Sequence, residues 1–91
     1  MIEDLPFSQI ESNNKKIRTF DESINEIELK WHRDKETRKV KIIESNNWKF
    51  QMDNQLPLTL KEGDIIQIPK ETYHRVIKGE GNLVIEVEFL D

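Results

Sequence analysis

Short runs of alternating apolar and polar residues, separated by turn-forming residues, cover most of this chain. Alternation with a period of two is typical of strands with one buried face, and no long stretch shows the 3.6-residue period of an amphipathic helix. The pattern predicts strands over residues 16–20, 27–33, 38–44, 48–53, 57–60, 64–68, 73–78 and 82–89. So many short strands in a chain of 91 residues predict an all-β sandwich or barrel.

The segments between these strands are rich in Asn, Asp, Gly and Pro, which favour tight turns. The pair Asn13-Asn14 predicts a further turn, and the residues before it show only weak periodicity. We therefore divide the chain into an N-terminal segment, residues 1–14, and a single domain, residues 15–91. The N-terminal segment is expected to be flexible or packed against a partner.

One predicted strand, residues 27–33, raises the question of which face is buried. Ile27, Leu29 and Trp31 alternate with polar residues, so His32 and Asp34 share the opposite face. Either the apolar face is the core and His32 lies in water, or the barrel interior is on the His32 side. In the second case the apolar face needs cover from the N-terminal segment or from a second subunit, which predicts a homodimer.

Composition narrows the classes of function. The formal charge of -4 argues against a nucleic-acid partner, because phosphate binding needs a basic surface. The absence of cysteine excludes disulfides, thiolate metal sites and a cysteine nucleophile. No apolar run approaches the roughly 20 residues of a membrane span. We expect a cytoplasmic protein without a membrane partner, and nothing in the sequence implies an organic cofactor.

The spacing of Gly63, Pro69 and His74 is more specific than this general pattern. Pro69 follows Gly63 after five intervening residues, and His74 lies five positions beyond Pro69. This run resembles the second conserved motif of the cupin family, in which the glycine turns into a buried strand and the histidine points into the barrel. The resemblance covers about residues 17–89 and implies a cupin-type jelly-roll β-barrel in a single domain.

The first cupin motif carries a glycine, two histidines, a glutamate and a second glycine. In this chain the corresponding residues are Glu26, His32, Asp34, Arg38 and Ser45, so only one histidine is kept. The resemblance implies that His32, Asp34 and His74 are the candidate ligands of a divalent metal. Two imidazoles and one carboxylate suit Fe(II), Mn or Zn. The alternative is a metal-free pocket in which the histidines bond to carboxylates.

Three further residues are candidate ligand-binding groups. Arg38 would either pair with Asp34 or hold an anionic ligand in a bidentate contact. Trp48 belongs to a strand core or stacks on a ligand ring, and Gln51 would line the pocket if its face turns inward. We expect a small cupin-domain protein that binds a divalent metal and a small anionic metabolite. The alternative is a non-catalytic ligand-binding or assembly module with a metal-free pocket.

Overall fold

Strands dominate the part of the chain that this computed structural model describes, residues 6–90. They are β1 (Ser8–Ser12), β2 (Lys15–Phe20), β3 (Arg38–Glu44), β4 (Lys49–Met52), β5 (Leu58–Thr59), β6 (Ile65–Ile68), β7 (His74–Ile77) and β8 (Leu83–Phe89). One 3-10 helix, Glu26–Glu28, precedes β3. The all-β prediction is confirmed. The first five residues of the predicted N-terminal segment, and residue 91, lie outside the described residues.

The strands form two antiparallel sheets. One sheet has the order β1-β2-β8-β3-β6 and the other has the order β5-β4-β7. From β3 onward the chain passes repeatedly between the two sheets, because β4, β5 and β7 lie in one while β6 and β8 return to the other. This arrangement is a jelly roll, as the sequence predicted. Between residues 6 and 90, no helix is long and apolar enough to cross a membrane.

The core lies between the two sheets. Every second residue of β8 from Leu83 to Val87 is buried, namely Leu83, Ile85 and Val87. Phe50 of β4 joins the same buried cluster from the opposite sheet, and Trp48, just before β4, is fully buried within it. Burial of these side chains from both sheets is the main favourable contribution to folding. It also fixes which face of each strand points inward.

Two turns show why particular residues end the strands. Gly63 has a φ of 90°, a conformation that favours glycine, and its N–H donates to the Ile42 carbonyl (2.8 Å). Asn13 and Asn14 have φ values of 50° and 66°, and they join β1 to β2 in a tight hairpin. The turn at Asn13-Asn14 was predicted from the sequence, but the strand before it, β1, was not.

The predicted strand over residues 27–33 is wrong. The 3-10 helix replaces its first half, and only His32 makes a β-bridge in the second half. The Asn25 side chain accepts a hydrogen bond from the Ile27 N–H (3.0 Å) and caps the helix. Short polar side chains of this kind compete with strand pairing by bonding the local backbone. As a result Ile27 points into solvent, with 71% of its surface exposed.

Candidate metal centre

A single β-bridge places His32 directly opposite His74. The His32 N–H donates to the His74 carbonyl (3.0 Å), and the His74 N–H donates to the His32 carbonyl (2.8 Å). Directly opposed residues of an antiparallel pair present their side chains on the same face. The two imidazole rings therefore lie together, with their centroids 4.3 Å apart. His74 begins β7 and is buried, whereas the His32 side chain is half exposed.

Backbone carbonyls orient both imidazole rings. His32 Nδ1 lies 2.9 Å from the Lys30 carbonyl oxygen, and His74 Nδ1 lies 2.8 Å from the Thr72 carbonyl oxygen. A carbonyl only accepts hydrogen bonds, so each Nδ1 carries the proton and each neutral ring has its lone pair on Nε2. This is the arrangement that metal-binding histidines commonly adopt. Both Nε2 atoms are thus prepared to act as ligands.

Asp34 supplies the third candidate ligand atom. Its Oδ2 lies 3.2 Å from His74 Nε2 and 4.0 Å from His32 Nε2. The three atoms all lie within 4.8 Å of one another. Asp34 Oδ2 is buried and has no hydrogen-bond partner among residues 6–90. Three convergent lone pairs repel one another unless a cation lies between them, so this set of donors fits a divalent ion.

The environment of His74 favours its neutral form. Burial is the largest cause that lowers the pKa of His74 below its usual value of 6.5, and the charge that His32 carries when protonated, together with that of Arg38, lowers it further. The Thr72 carbonyl and the Asp34 carboxylate act in the opposite direction. The net effect leaves the His74 imidazole uncharged at neutral pH. Its Nε2 lone pair is then available for a metal rather than for a proton.

Arg38 pairs with the other oxygen of the Asp34 carboxylate. Its Nη2 lies 3.3 Å from Asp34 Oδ1 and donates to Glu36 Oε1 (3.0 Å). Arg38 is the first residue of β3, and its guanidinium lies 4.8 Å from the centroid of the Phe89 ring. Because the ion pair uses Oδ1, it orients the carboxylate and leaves Oδ2 directed at the two histidines.

The three candidate ligands line a cavity of about 400 Å³ between the sheets. Arg18 of β2 also lines this cavity and is not among the residues predicted from the sequence. The signal was present in the alternation of β2, because Arg18 lies two positions before the buried Phe20 and so shares its inward face. Burial lowers the pKa of Arg18, and the nearby charge of Arg38 lowers it further.

Two predicted ligand-binding residues do not reach the cavity. Trp48 is fully buried in the core, and its Nε1 donates to the carbonyls of Glu80 (3.1 Å) and Gly81 (3.3 Å). The Gln51 side chain donates to the Gln55 carbonyl (2.9 Å) and accepts from Arg75 Nε (3.0 Å). The structure therefore brings His32, Asp34, His74 and Arg38 together and leaves Trp48 and Gln51 elsewhere.

Comparison with solved structures identifies the fold. A cupin-2 domain protein from Shewanella frigidimarina superimposes with a TM-score of 0.66 at 18% identity, over 99% of this chain and 85% of that one. A cupin domain from Bordetella pertussis gives a TM-score of 0.62 at 16% identity over the whole of both chains. A protein from Neisseria meningitidis gives 0.65 at 16% identity, over 99% of this chain and 89% of that one.

This jelly roll, with its imidazole pair facing an internal cavity, has the cupin fold. The resemblance drawn from Gly63, Pro69 and His74 is therefore confirmed at the level of the fold. The sequence itself matches no model of a protein family and no curated protein at a significant level. The likeness to these solved structures concerns the fold alone, so the function must be argued from the site.

Proposed function

We propose that this protein binds a divalent metal ion through His32, Asp34 and His74 and holds a small organic anion at that ion. The observation that carries the proposal is the convergence of three ligand atoms within 4.8 Å, one of which is a buried carboxylate oxygen without a hydrogen-bond partner among the described residues. The two ring orientations are already fixed by backbone carbonyls. The protein would therefore lose little conformational freedom on binding the ion.

The donor set also limits which metal ion the site can hold and which chemistry that ion can supply. Two imidazoles and one carboxylate suit Fe(II), Mn or Zn, and three protein ligands leave coordination positions open for a small molecule. A bound ion of this type supplies Lewis-acid or oxygen-activating chemistry. The protein's own contribution is to hold Asp34 through Arg38 and to place the site in a cavity with mostly apolar walls.

The charges around the cavity favour an anion. Its lining contains three cationic side chains, Arg18, Lys30 and Arg38, and two anionic ones, Glu28 and Asp34. The chain as a whole has a formal charge of -4, so the cavity is positive within an acidic protein. A divalent ion increases that local positive charge. Attraction of this kind concentrates anionic ligands at the site.

A second function is supported by one observation. Arg38 is an ion-pair partner of Asp34 at 3.3 Å, and a cation beside the carboxylate weakens it as a metal ligand. In that case the protein is a metal-free module that binds its ligand, or assembles with a partner, without metal chemistry. The two functions differ in whether the purified protein binds a divalent ion.

Calorimetric titration of chelator-treated protein with Mn²⁺, Zn²⁺ and, without oxygen, Fe²⁺ tests the proposal. The parent protein is expected to bind one ion per chain, and His32→Ala is expected to bind it at least tenfold more weakly. His32 is the best position for the test because its side chain is 52% exposed, so its removal disturbs little packing. Lys35→Ala changes an exposed residue near the site and is the matched control.

The outcomes separate the two functions. Binding that weakens in His32→Ala but not in Lys35→Ala supports the metal site. A parent protein that binds none of the three ions contradicts it and leaves the metal-free module. Undiminished binding by His32→Ala, with circular dichroism equal to that of the parent, would place the ion elsewhere and overturn the assignment of ligands.

A further inference from the structure

Most of the cavity wall differs in character from the three candidate metal ligands. Most of the lining side chains are apolar, and they include Phe7, Phe20, Leu29, Phe50, Leu60 and Ile66. The volume of about 400 Å³ lies within the range of small-molecule sites. A simple inorganic anion is too small to cover these walls. Their chemistry calls for a ligand with an apolar body.

The charged groups of the cavity indicate which polar group the ligand carries at its other end. Of the nitrogen atoms in the Arg18 side chain, only Nε has a hydrogen-bond partner among residues 6–90. It donates to Gln9 Oε1 at 2.8 Å. The Arg18 guanidinium lies 4.3 Å from the centroid of the Phe7 ring, which supports its planar group on one face. Its two Nη groups are left to donate to an acceptor. A carboxylate matches this pair of donors in shape and charge.

We infer that the cavity binds a carboxylate with an apolar body, that Arg18 anchors the carboxylate, and that the apolar body lies against the aromatic and aliphatic walls. The inference rests on the proposed function, because the cavity is the one that holds the metal centre. Arg38 adds to the attraction, since its buried Nε has no hydrogen-bond partner among the described residues. Arg18 and Arg38 repel each other within this cavity, and an anion that enters relieves the repulsion.

Phenylacetate is a suitable probe because it combines a carboxylate with one aromatic ring, and phenylacetamide is its neutral counterpart of nearly equal shape. Binding of each is measured by calorimetry to the chelator-treated protein and to the protein loaded with Mn²⁺. Phenylacetate is expected to bind at least tenfold more tightly than the amide in both preparations, because the amide carries no charge and offers one acceptor oxygen where the carboxylate offers two. Inorganic phosphate, which lacks an apolar body, is expected to bind more weakly than phenylacetate.

Three variants connect the binding to Arg18. Arg18→Gln is expected to weaken phenylacetate binding at least tenfold and to weaken amide binding much less, because only the acid carries a charge that loses its partner. Lys15→Gln removes a positive charge from the opposite face of the same strand and is the matched control. Arg18→Lys keeps the charge without the planar pair of donors, so it should recover only part of the affinity. Metal titration and thermal melting of each variant report whether it is folded.

The outcomes distinguish this inference from the metal proposal. Phenylacetate that fails to bind a protein that binds Mn²⁺ overturns the inference and leaves the metal site intact. Equal affinity for the acid and the amide, or unchanged affinity in Arg18→Gln, removes Arg18 as the anchor. A protein that binds no metal but binds phenylacetate through Arg18 contradicts the proposed metal site and retains the carboxylate cavity.

Discussion

Arg38 binds one oxygen of the Asp34 carboxylate and leaves the other oxygen facing two imidazoles. The distances are 3.3 Å from Arg38 Nη2 to Oδ1 and 3.2 Å from His74 Nε2 to Oδ2. A salt bridge at a metal centre can compete with the metal, but here the two contacts use different oxygens. The arginine fixes the direction of the carboxylate and at the same time reduces its electron density. At the proposed metal site, Arg38 would therefore favour the geometry needed for an ion while it lowers the affinity of Asp34 for that ion.

This relationship predicts the effect of Arg38→Gln on metal affinity. Removal of a positive charge beside Asp34 should strengthen the binding of a divalent ion by about tenfold, which corresponds to about 1.4 kcal/mol. Arg33→Gln removes an arginine that pairs with Glu71 on the exposed surface, and it should leave the affinity unchanged. Calorimetric titration with Mn²⁺ measures both. Weaker binding in Arg38→Gln would show that orientation of the carboxylate matters more than its charge.

The Asp21 carboxylate should titrate below its ordinary range. The Ser23 hydroxyl (2.7 Å) and the Ser23 N–H (2.8 Å) both donate to Asp21 Oδ1, and these bonds lower the pKa of Asp21 from its usual 3.8. A carboxyl whose pKa is lower in the folded state stabilises the fold at pH values above its unfolded pKa, and this stabilisation is lost as the pH falls through the folded pKa. Carbon-13 chemical shifts of the carboxyl report the midpoint.

Ser23→Ala provides the control for this titration. It removes the stronger of the two donors, so the Asp21 midpoint should move up towards the ordinary value. A midpoint at the ordinary value in the parent protein would mean that the turn does not persist in solution.

Gly79 should tolerate substitution poorly. A Cβ at this position would collide with the backbone of Asn46, Asn47 and Trp48, which cannot shift without moving the start of β4. We expect Gly79→Ala to lower the free energy of unfolding by about 2 kcal/mol. Gly81→Ala is a useful comparison, because its Cβ would meet no atom within 4 Å and only its φ of 63° opposes the change, at about 1 kcal/mol. Urea denaturation of both variants gives the difference.

Trp48 distinguishes a role in stability from a role in ligand binding. Trp48→Phe removes the donor to the Glu80 and Gly81 carbonyls and leaves space in a fully buried site. We expect unfolding to become easier by about 2 kcal/mol, with unchanged affinity for phenylacetate below the melting range. A selective loss of phenylacetate affinity would instead support the stacking role considered from the sequence.

The homodimer stays a prediction, and its test is the mass in solution. Trp31 is 42% exposed and packs its ring 4.9 Å from the Arg75 guanidinium at the surface. Sedimentation equilibrium should give the mass of two chains for the parent protein and weaker association for Trp31→Ser. Leu56→Ser removes another exposed apolar side chain, outside the predicted face, and should leave association unchanged. A parent protein that sediments as a single chain contradicts the prediction.

Alternation predicted the strands wherever one face is buried against the opposite sheet. β8 is the clearest example, because the buried Leu83, Ile85 and Val87 alternate with less buried residues, two of which, Glu86 and Glu88, are charged. The same rule failed for residues 27–33. Their apolar and polar residues alternate, but the segment belongs to neither sheet, and the Asn25 side chain caps a 3-10 helix at its start. The rule also missed β1, an edge strand whose five residues are all exposed. The tight turn at Asn13-Asn14 implies a strand on each side and is the sequence signal for β1.

The candidate site was predicted for a partly different reason from the one that the structure supplies. The spacing of His32 and Asp34 was attributed to one strand face, whereas His32 makes an isolated bridge and Asp34 lies in the loop after it. His74 was placed by its distance from Pro69, and that placement depends on the fold. Arg18 lay outside the recognised motifs and needs three-dimensional information to be linked with Arg38, since 20 residues separate them.

The main-chain bridge between His32 and His74 has a consequence for how such a centre can diversify. The spacing of the two positions is set by amide and carbonyl groups that every residue type except proline provides. Replacing either imidazole with another donor side chain would change which ion the site prefers, while the backbone bridge between the two positions would remain. Selectivity in this scaffold is thus separable from its architecture.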